Sequence, residues 1–415
     1  MDMVGEKNAD HPHDWALDPV IPVLNGQWIT ASGTTLGADD GIGIAAQMAL
    51  LTDPALKAGK IECLFTVDEE SGMTGAKNLS EDFFKGRILL NLDSEDEGIL
   101  FIGCAGGMDT AGNMNYKKES VPPDHEAIEI SLTGLRGGHS GDEIHKGFGN
   151  SIKIMAGILL ELQREFGIFL SSFNGGNLRN AIPREAFATI VCKNKLSGRI
   201  IDRVRSIQTK LQKELVTVEK DLILNAELCR LPQYIIDPGD QNKLISLIQC
   251  CPHGVIAWSK DMKDLVETST NLASVKFKKE DIIEIVTTQR SSFESAKIEA
   301  SAMVESCFKQ VGASITKSTG YPGWAPDMNS EILKITRQAY KRLFGNDPEI
   351  RAIHAGLECG LIYEKFKKID MISFGPTIKG AHTPSEMIEI RTVIMFWDLL
   401  KEVISDIPPE TPGET

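Results

Sequence analysis

Carboxylates gather at three points early in the chain: Asp39-Asp40 in TTLGADDGIG, Asp68-Glu69-Glu70 in LFTVDEESGMTGA, and Asp93 in NLDSEDEG. His382 in GPTIKGAHTPSE adds an imidazole much further on. Crowded carboxylates push one another's pKa up unless a cation neutralises them, and carboxylates mixed with imidazole suit zinc or manganese. The chemistry in question is therefore that of a metal site. Taken singly, each point has a plainer reading: Asp39-Asp40 as a helix N-cap, Asp68-Glu69-Glu70 as a solvated turn, Asp93 as a cap and His382 as a surface histidine. The pattern alone leaves a metal hydrolase and a generic α/β binding protein both open.

Their convergence depends on the elements around them. Residues 61–67 (IECLFTV), 87–92 (RILLNL) and 371–375 (MISFG) have the apolar, bounded character of buried strands, and small and apolar residues recur at helical spacing from Gly41 onward. The acidic groups and His382 then follow strand ends or a turn before a helix. In an open α/β sheet that is where ligands collect. From about residue 108 the character changes to an alternating strand, AIEISLTGL, followed by a Gly-rich loop and helices expected over 151–166, 200–222, 243–250 and 293–311. Two strands, in TNLASVKF and DIIEIVTTQR, are expected to pair through residues 278–280. The β/α rhythm resumes after GYPGWAPD, with helices expected over 330–343 and 391–404. This predicts an α/β domain made of residues 1–107 and 319–415, interrupted by an α+β insert over 108–318 that contains two similar halves, about 124–220 and 221–312.

Composition narrows the function. With 58 acidic and 44 basic side chains the net charge is −14, the wrong sign for tracking phosphates, so no nucleic-acid partner is expected. The apolar runs are too short to span a bilayer and no secretory leader is read at the start, which predicts a cytoplasmic protein without a membrane partner. The 8 cysteines include no C-x-x-C pair, pointing to buried free thiols rather than disulfides or a thiolate zinc site.

The ordered motifs TTLGADDGIG, LFTVDEESGMTGA, NLDSEDEG, GCAGG, GLRGGHSGDEIHKG, NAIPREA, GYPGW, IHAGLECG and GPTIKGAHTPSE closely resemble the aminoacyl-histidine dipeptidases, a group within the M20 zinc metallopeptidases. The likeness runs from Met1 to Ile404. It implies a catalytic domain with a mixed central sheet flanked by helices, an inserted α+β lid domain, two zinc ions, with cobalt or manganese as substitutes, and hydrolysis of short unblocked peptides such as Xaa-His. Residue by residue, it implies Asp39 as the ligand shared by the two zinc ions, Glu70 and His382 as ligands of one, Asp93 as a ligand of the other, and Glu69 as general base. Asp40 and Asp68 become their neighbours. His139 of GGHSG matches a lid histidine that stabilises the oxyanion. Asn180 and Arg184, with His354 and Glu358, are implied at the substrate's ends.

One departure stands out. Members of the group open this region with H-x-D-M, whose histidine binds the second zinc, whereas here Asp2 is the counterpart of the motif's aspartate and the histidine's place falls before Met1. About eighty residues that relatives carry upstream have no counterpart either. The expectation is a shortened member that holds at most one zinc tightly and has little peptidase activity, with His11 and His13 poor substitutes for the lost ligand. Two alternatives accompany the dipeptidase reading: a non-catalytic paralogue acting as an interaction protein, and an amidohydrolase of N-acyl amino acids. Monomer and homodimer are both compatible with the sequence.

Overall fold

Helices and strands form where apolar periodicity and capping chemistry agree. In helix Glu331–Phe344 the buried residues Ile332, Leu333, Thr336, Ala339 and Tyr340 make one stripe, Ser330 Oγ accepts from Leu333 N–H at the start, and Gly345 in the left-handed region ends it. Helix Ile390–Asp406 repeats the inward stripe with Phe396, Leu399, Leu400 and Val403. The computed structural model describes residues 3–408, so Asp2 lies outside the described residues. The chain divides into two units, residues 1–104 with 323–415 and residues 105–322.

The first unit holds a four-stranded mixed sheet in the order Glu349–Ile353, Ile99–Cys104, Asp370–Ser373, Ile88–Asn91, with parallel outer pairs and an antiparallel contact in the middle. Leu100, Ile102, Ile372 and Phe374 are buried there. A second, antiparallel sheet joins Pro22–Asn25, Trp28–Ala31, Met387–Glu389 and Ile378–Lys379, bringing the end of the TPSE motif beside the segment that precedes Asp39.

The second unit is built on a nine-stranded antiparallel sheet whose order runs from Ile223–Cys229 through His125–Thr133, Ala186–Lys193, Phe169–Gly175, Val266–Phe277, Ile282–Ser291 and Gly106–Asn115 to Ser314–Lys317, with Gly254–Trp258 alongside Val266–Phe277. Alternate residues Ile128, Ile130 and Leu132 share a core with Met155, Leu159, Val304 and Phe308 from its helices.

Three expectations needed correction. Residues 61–67 are not part of any sheet among the described residues, and Phe65 and Val67 are exposed; an apolar run signals burial, but a strand also needs an edge to pair with. The helix expected over 200–222 ends at Glu214. Beyond it the β-branched run Val216-Thr217-Val218 favours leaving the helix, and Glu219, 2% exposed, turns inward to accept from Arg136 N–H at 2.6 Å and Gly149 N–H at 2.7 Å. The helix expected over 243–250 starts earlier, at Pro238, because Asp237 caps it by accepting from Asp240 N–H. Glu219 ties down both ends of the Gly-rich loop that carries His139. Glu219→Ala should strand two donors and lower stability by roughly 2–6 kcal/mol, taking about 1–3 kcal/mol for each. Faster hydrogen exchange at Arg136 and Gly149 and a lower urea midpoint would register it; unchanged exchange there would refute it.

Candidate metal centre

Three loops of the first unit bring the acidic residues together. Strands Ile88–Asn91 and Asp370–Ser373 run parallel, and Ser373 Oγ donates to Asn91 Oδ1 at 2.6 Å near their carboxyl ends. Asp93 lies two residues past the first strand. Gly375 keeps the crossing tight, since a Cβ there would fall 1.8 Å from the Ser94 carbonyl oxygen. Residues 66–75 fold back on themselves: Asp68, at φ 59°, accepts from Thr74 Oγ at 2.7 Å, and Gly75 N–H donates to the Val67 carbonyl. Thr66 Oγ donates to Glu358 at 2.8 Å, which anchors the segment ahead of Glu69 and Glu70. Helix Ala38–Thr52 begins irregularly, with Asp39 and Asp40 outside helical φ/ψ and the peptide between them cis. Asp40 Oδ1 accepts from Gly43 N–H at 3.0 Å and so caps the regular part, as its position before Gly41 suggests.

The result is one converging donor set. Carboxylate oxygens of Asp39 and Glu70 and a ring nitrogen of His382 all lie within 4.8 Å of one another. His382 Nε2 is 3.2 Å from Asp39 Oδ2 and 3.0 Å from Glu70 Oε2, on a residue at φ 64°. Glu69 and Asp93 fall outside this set but close to it. Burial first, then the charges of Asp40, Asp39 and Glu69, hold the Asp93 carboxyl well above the carboxylate range, and it shares a hydrogen bond with Asp39. Asp40 is pushed up to about 8, by burial more than by Asp39 and Glu69. Negative charge packed this densely is what a divalent cation relieves, and two carboxylates with one imidazole fit such an ion.

The second unit places His139 in the short strand Gly138–His139, paired with Ala181–Ile182. Its Nδ1 accepts from Gly141 N–H at 3.3 Å and Asp142 N–H at 3.2 Å. Burial and, next, the Arg290 guanidinium lower its pKa against the opposing pull of Asp142 and Glu143. With Nδ1 accepting two backbone N–H groups, the neutral form of the ring carries its proton on Nε2; the Asp142 carboxylate stands 3.5 Å from Nδ1. Asn180 and Arg184 are exposed, His354 and Glu358 buried. Sequence reasoning missed Arg290, 6% exposed and donating to Tyr321 Oη at 2.8 Å. It also passed over Glu386, although Glu386 stands four residues after His382 in the same motif.

A converging carboxylate–imidazole donor set in an α/β unit, with a further glutamate adjoining it, is of the kind a metal-dependent hydrolase uses. The sequence pattern of Peptidase family M20/M25/M40 matches residues 1–406. The cytosol non-specific dipeptidase of Escherichia coli (strain K12) is 42% identical over 408 residues, covering 98% of this chain and 84% of that protein. The crystal structure of aminoacylhistidine dipeptidase from Vibrio alginolyticus superposes with a TM-score of 0.93 at 41% identity, covering 99% of this chain and 84% of that one. Aminopeptidase PepT from Bacillus cereus, at 16% identity and a TM-score of 0.50 over 93% of this chain and 76% of that one, shares the fold. The chain belongs to Peptidase family M20/M25/M40. That membership implies a divalent metal, and Asp39, Glu70 and His382 are the residues suited to hold it.

Proposed function

We propose that this chain is a zinc-dependent dipeptidase that hydrolyses short, unblocked peptides, Xaa-His among them, in the cytoplasm. The observation that carries the reading is the convergence of Asp39, Glu70 and His382 with Glu69 adjoining but outside the donor set. The names of the Escherichia coli and Vibrio relatives support the substrate class, and the former's supports the compartment. Among the described residues only Asp39, Glu70 and His382 form a set of three donors and would hold one zinc, and Asp93, hydrogen-bonded to Asp39, would be a ligand of a second ion. When bound, the cation supplies Lewis-acid chemistry, acidifying water and polarising a peptide carbonyl.

The side chains supply the rest. Glu69 accepts the water proton on its carboxylate and returns it to the departing amine, as a general base that then acts as general acid. His139, neutral and protonated at Nε2, serves as hydrogen-bond donor to the developing oxyanion. Arg184 offers a two-pronged donor to a terminal carboxylate, with Asn180, His354 and Glu358 assigned to the substrate's ends. His139→Ala should lower kcat by about 10²–10³ with metal content unchanged; an unaltered kcat would return His139 to a loop-building role. The substrate reading is tested by assaying the zinc-loaded chain on a dipeptide panel against N-acyl amino acids. Cleavage of free dipeptides is expected, whereas cleavage confined to N-acyl amino acids would overturn it.

A further inference from the structure

Glu386 is buried to 2% exposure and, among the described residues, makes no ion pair. Its carboxylate instead accepts four consecutive backbone N–H groups: Leu36 at 2.7 Å and Gly37 at 3.0 Å on Oε2, Ala38 at 2.7 Å and Asp39 at 3.3 Å on Oε1. A buried charge is costly unless polar groups surround it, and amide-to-carboxylate bonds are the strong kind. If burial were its only task, an uncharged residue would fill the place at lower cost.

The four amides belong to the turn that presents Asp39 ahead of its helix, where Asp39 sits at φ −86°, ψ 108°. The backbone of Glu386 is tied into the loop that carries His382. Glu386 N–H donates to the Thr383 carbonyl at 3.0 Å, and Thr383 Oγ donates to the Gly380 carbonyl at 2.7 Å, so 380–386 is a self-bonded loop. One side chain therefore sets the register between two donors far apart in sequence.

We infer that Glu386 is a positioning residue of the metal centre: by gripping the amides of residues 36–39 it aims the Asp39 carboxylate at the point His382 faces. The inference rests on the reading that Asp39, Glu70 and His382 hold a metal ion. It uses the general observation that partners which orient metal ligands are worth roughly 10–100-fold in metal affinity. Glu386→Gln removes the charge and turns a donor toward amide N–H groups. Glu386→Asp keeps the charge but falls short of the four donors.

The test is Co²⁺ titration of the full chain, read by visible absorption, alongside the melting temperature of each metal-free variant. The control is Asp370→Asn, because the Asp370 carboxylate also accepts local bonds, from Ser330 Oγ at 2.6 Å and Ile332 N–H at 3.0 Å, at the start of helix Glu331–Phe344. Glu386→Gln should bind Co²⁺ about 10–100-fold more weakly with an altered spectrum, and Glu386→Asp should fall between it and the parent. Asp370→Asn should lower the melting temperature and leave the Co²⁺ titration alone. A folded Glu386→Gln that titrates like the parent overturns the inference, as does Asp370→Asn weakening binding equally. If Glu386→Gln does not fold, Glu386→Asp decides by the same comparison. His382→Ala separates the underlying reading: should it bind Co²⁺ as the parent does, the metal-site assignment itself fails.

Discussion

His382→Ala is expected to lose both tightly bound metal and peptide hydrolysis, and chelation of the parent chain should do the same, reversibly on adding Zn²⁺. The imidazole is the one nitrogen donor of the set, 3.2 Å from Asp39 and 3.0 Å from Glu70. Without it the set is reduced to two carboxylates, too few donors to hold the ion tightly. Loss of an outer partner of a metal ligand costs about 10–100-fold, and removal of a ligand should exceed that. Metal per chain by elemental analysis, measured beside the rate on an Xaa-His dipeptide, decides. Full metal content with full activity in His382→Ala would move the centre elsewhere.

Glu69→Gln should behave in the opposite way toward metal. The amide is nearly the same shape but cannot take a proton, so metal content should stay at the parent level while kcat falls by about 10²–10⁴. Glu69 adjoins the donor set closely enough that its charge raises Asp40 and Asp93, yet it supplies none of the three converging atoms. If Glu69→Gln loses metal and activity tracks the residue of metal left, Glu69 and Glu70 have been assigned the wrong way round.

Much of this centre is legible in the amino-acid sequence, because its donors are chemically conspicuous and each sits in a short local pattern. Residue type marks Asp39-Asp40, Asp68-Glu69-Glu70, Asp93 and His382 as candidate donors, and the resemblance of their motifs to the aminoacyl-histidine dipeptidases singles out Asp39, Glu70 and His382 as one ligand set. Gly41 as the start of the regular helix follows from Asp40 as its cap. What escapes a linear reading depends on partners distant in the chain. Residues 61–67 look like a strand because their apolar character is local, but pairing is not. Glu386 looks like one more acidic residue in a loop, and only the fold reveals that its oxygens meet amides about 350 positions earlier. Glu219 escapes for the same reason: nothing in VTVEKD announces that its carboxylate reaches Arg136 and Gly149.

The chain order of the donors matters on the ribosome. Asp39 and Glu70 emerge early, the whole of residues 105–322 follows as an uninterrupted stretch with its own core, and His382 appears 382 − 70 = 312 residues after Glu70. At about 5–20 residues per second the carboxylates wait on the order of 15–60 s for their imidazole. During that interval the proposed ligand set would lack its imidazole, while the middle stretch is free to fold around its own core. On the proposed ligand set, metal capture would wait until His382 has been made and its loop has met Asp39 and Glu70.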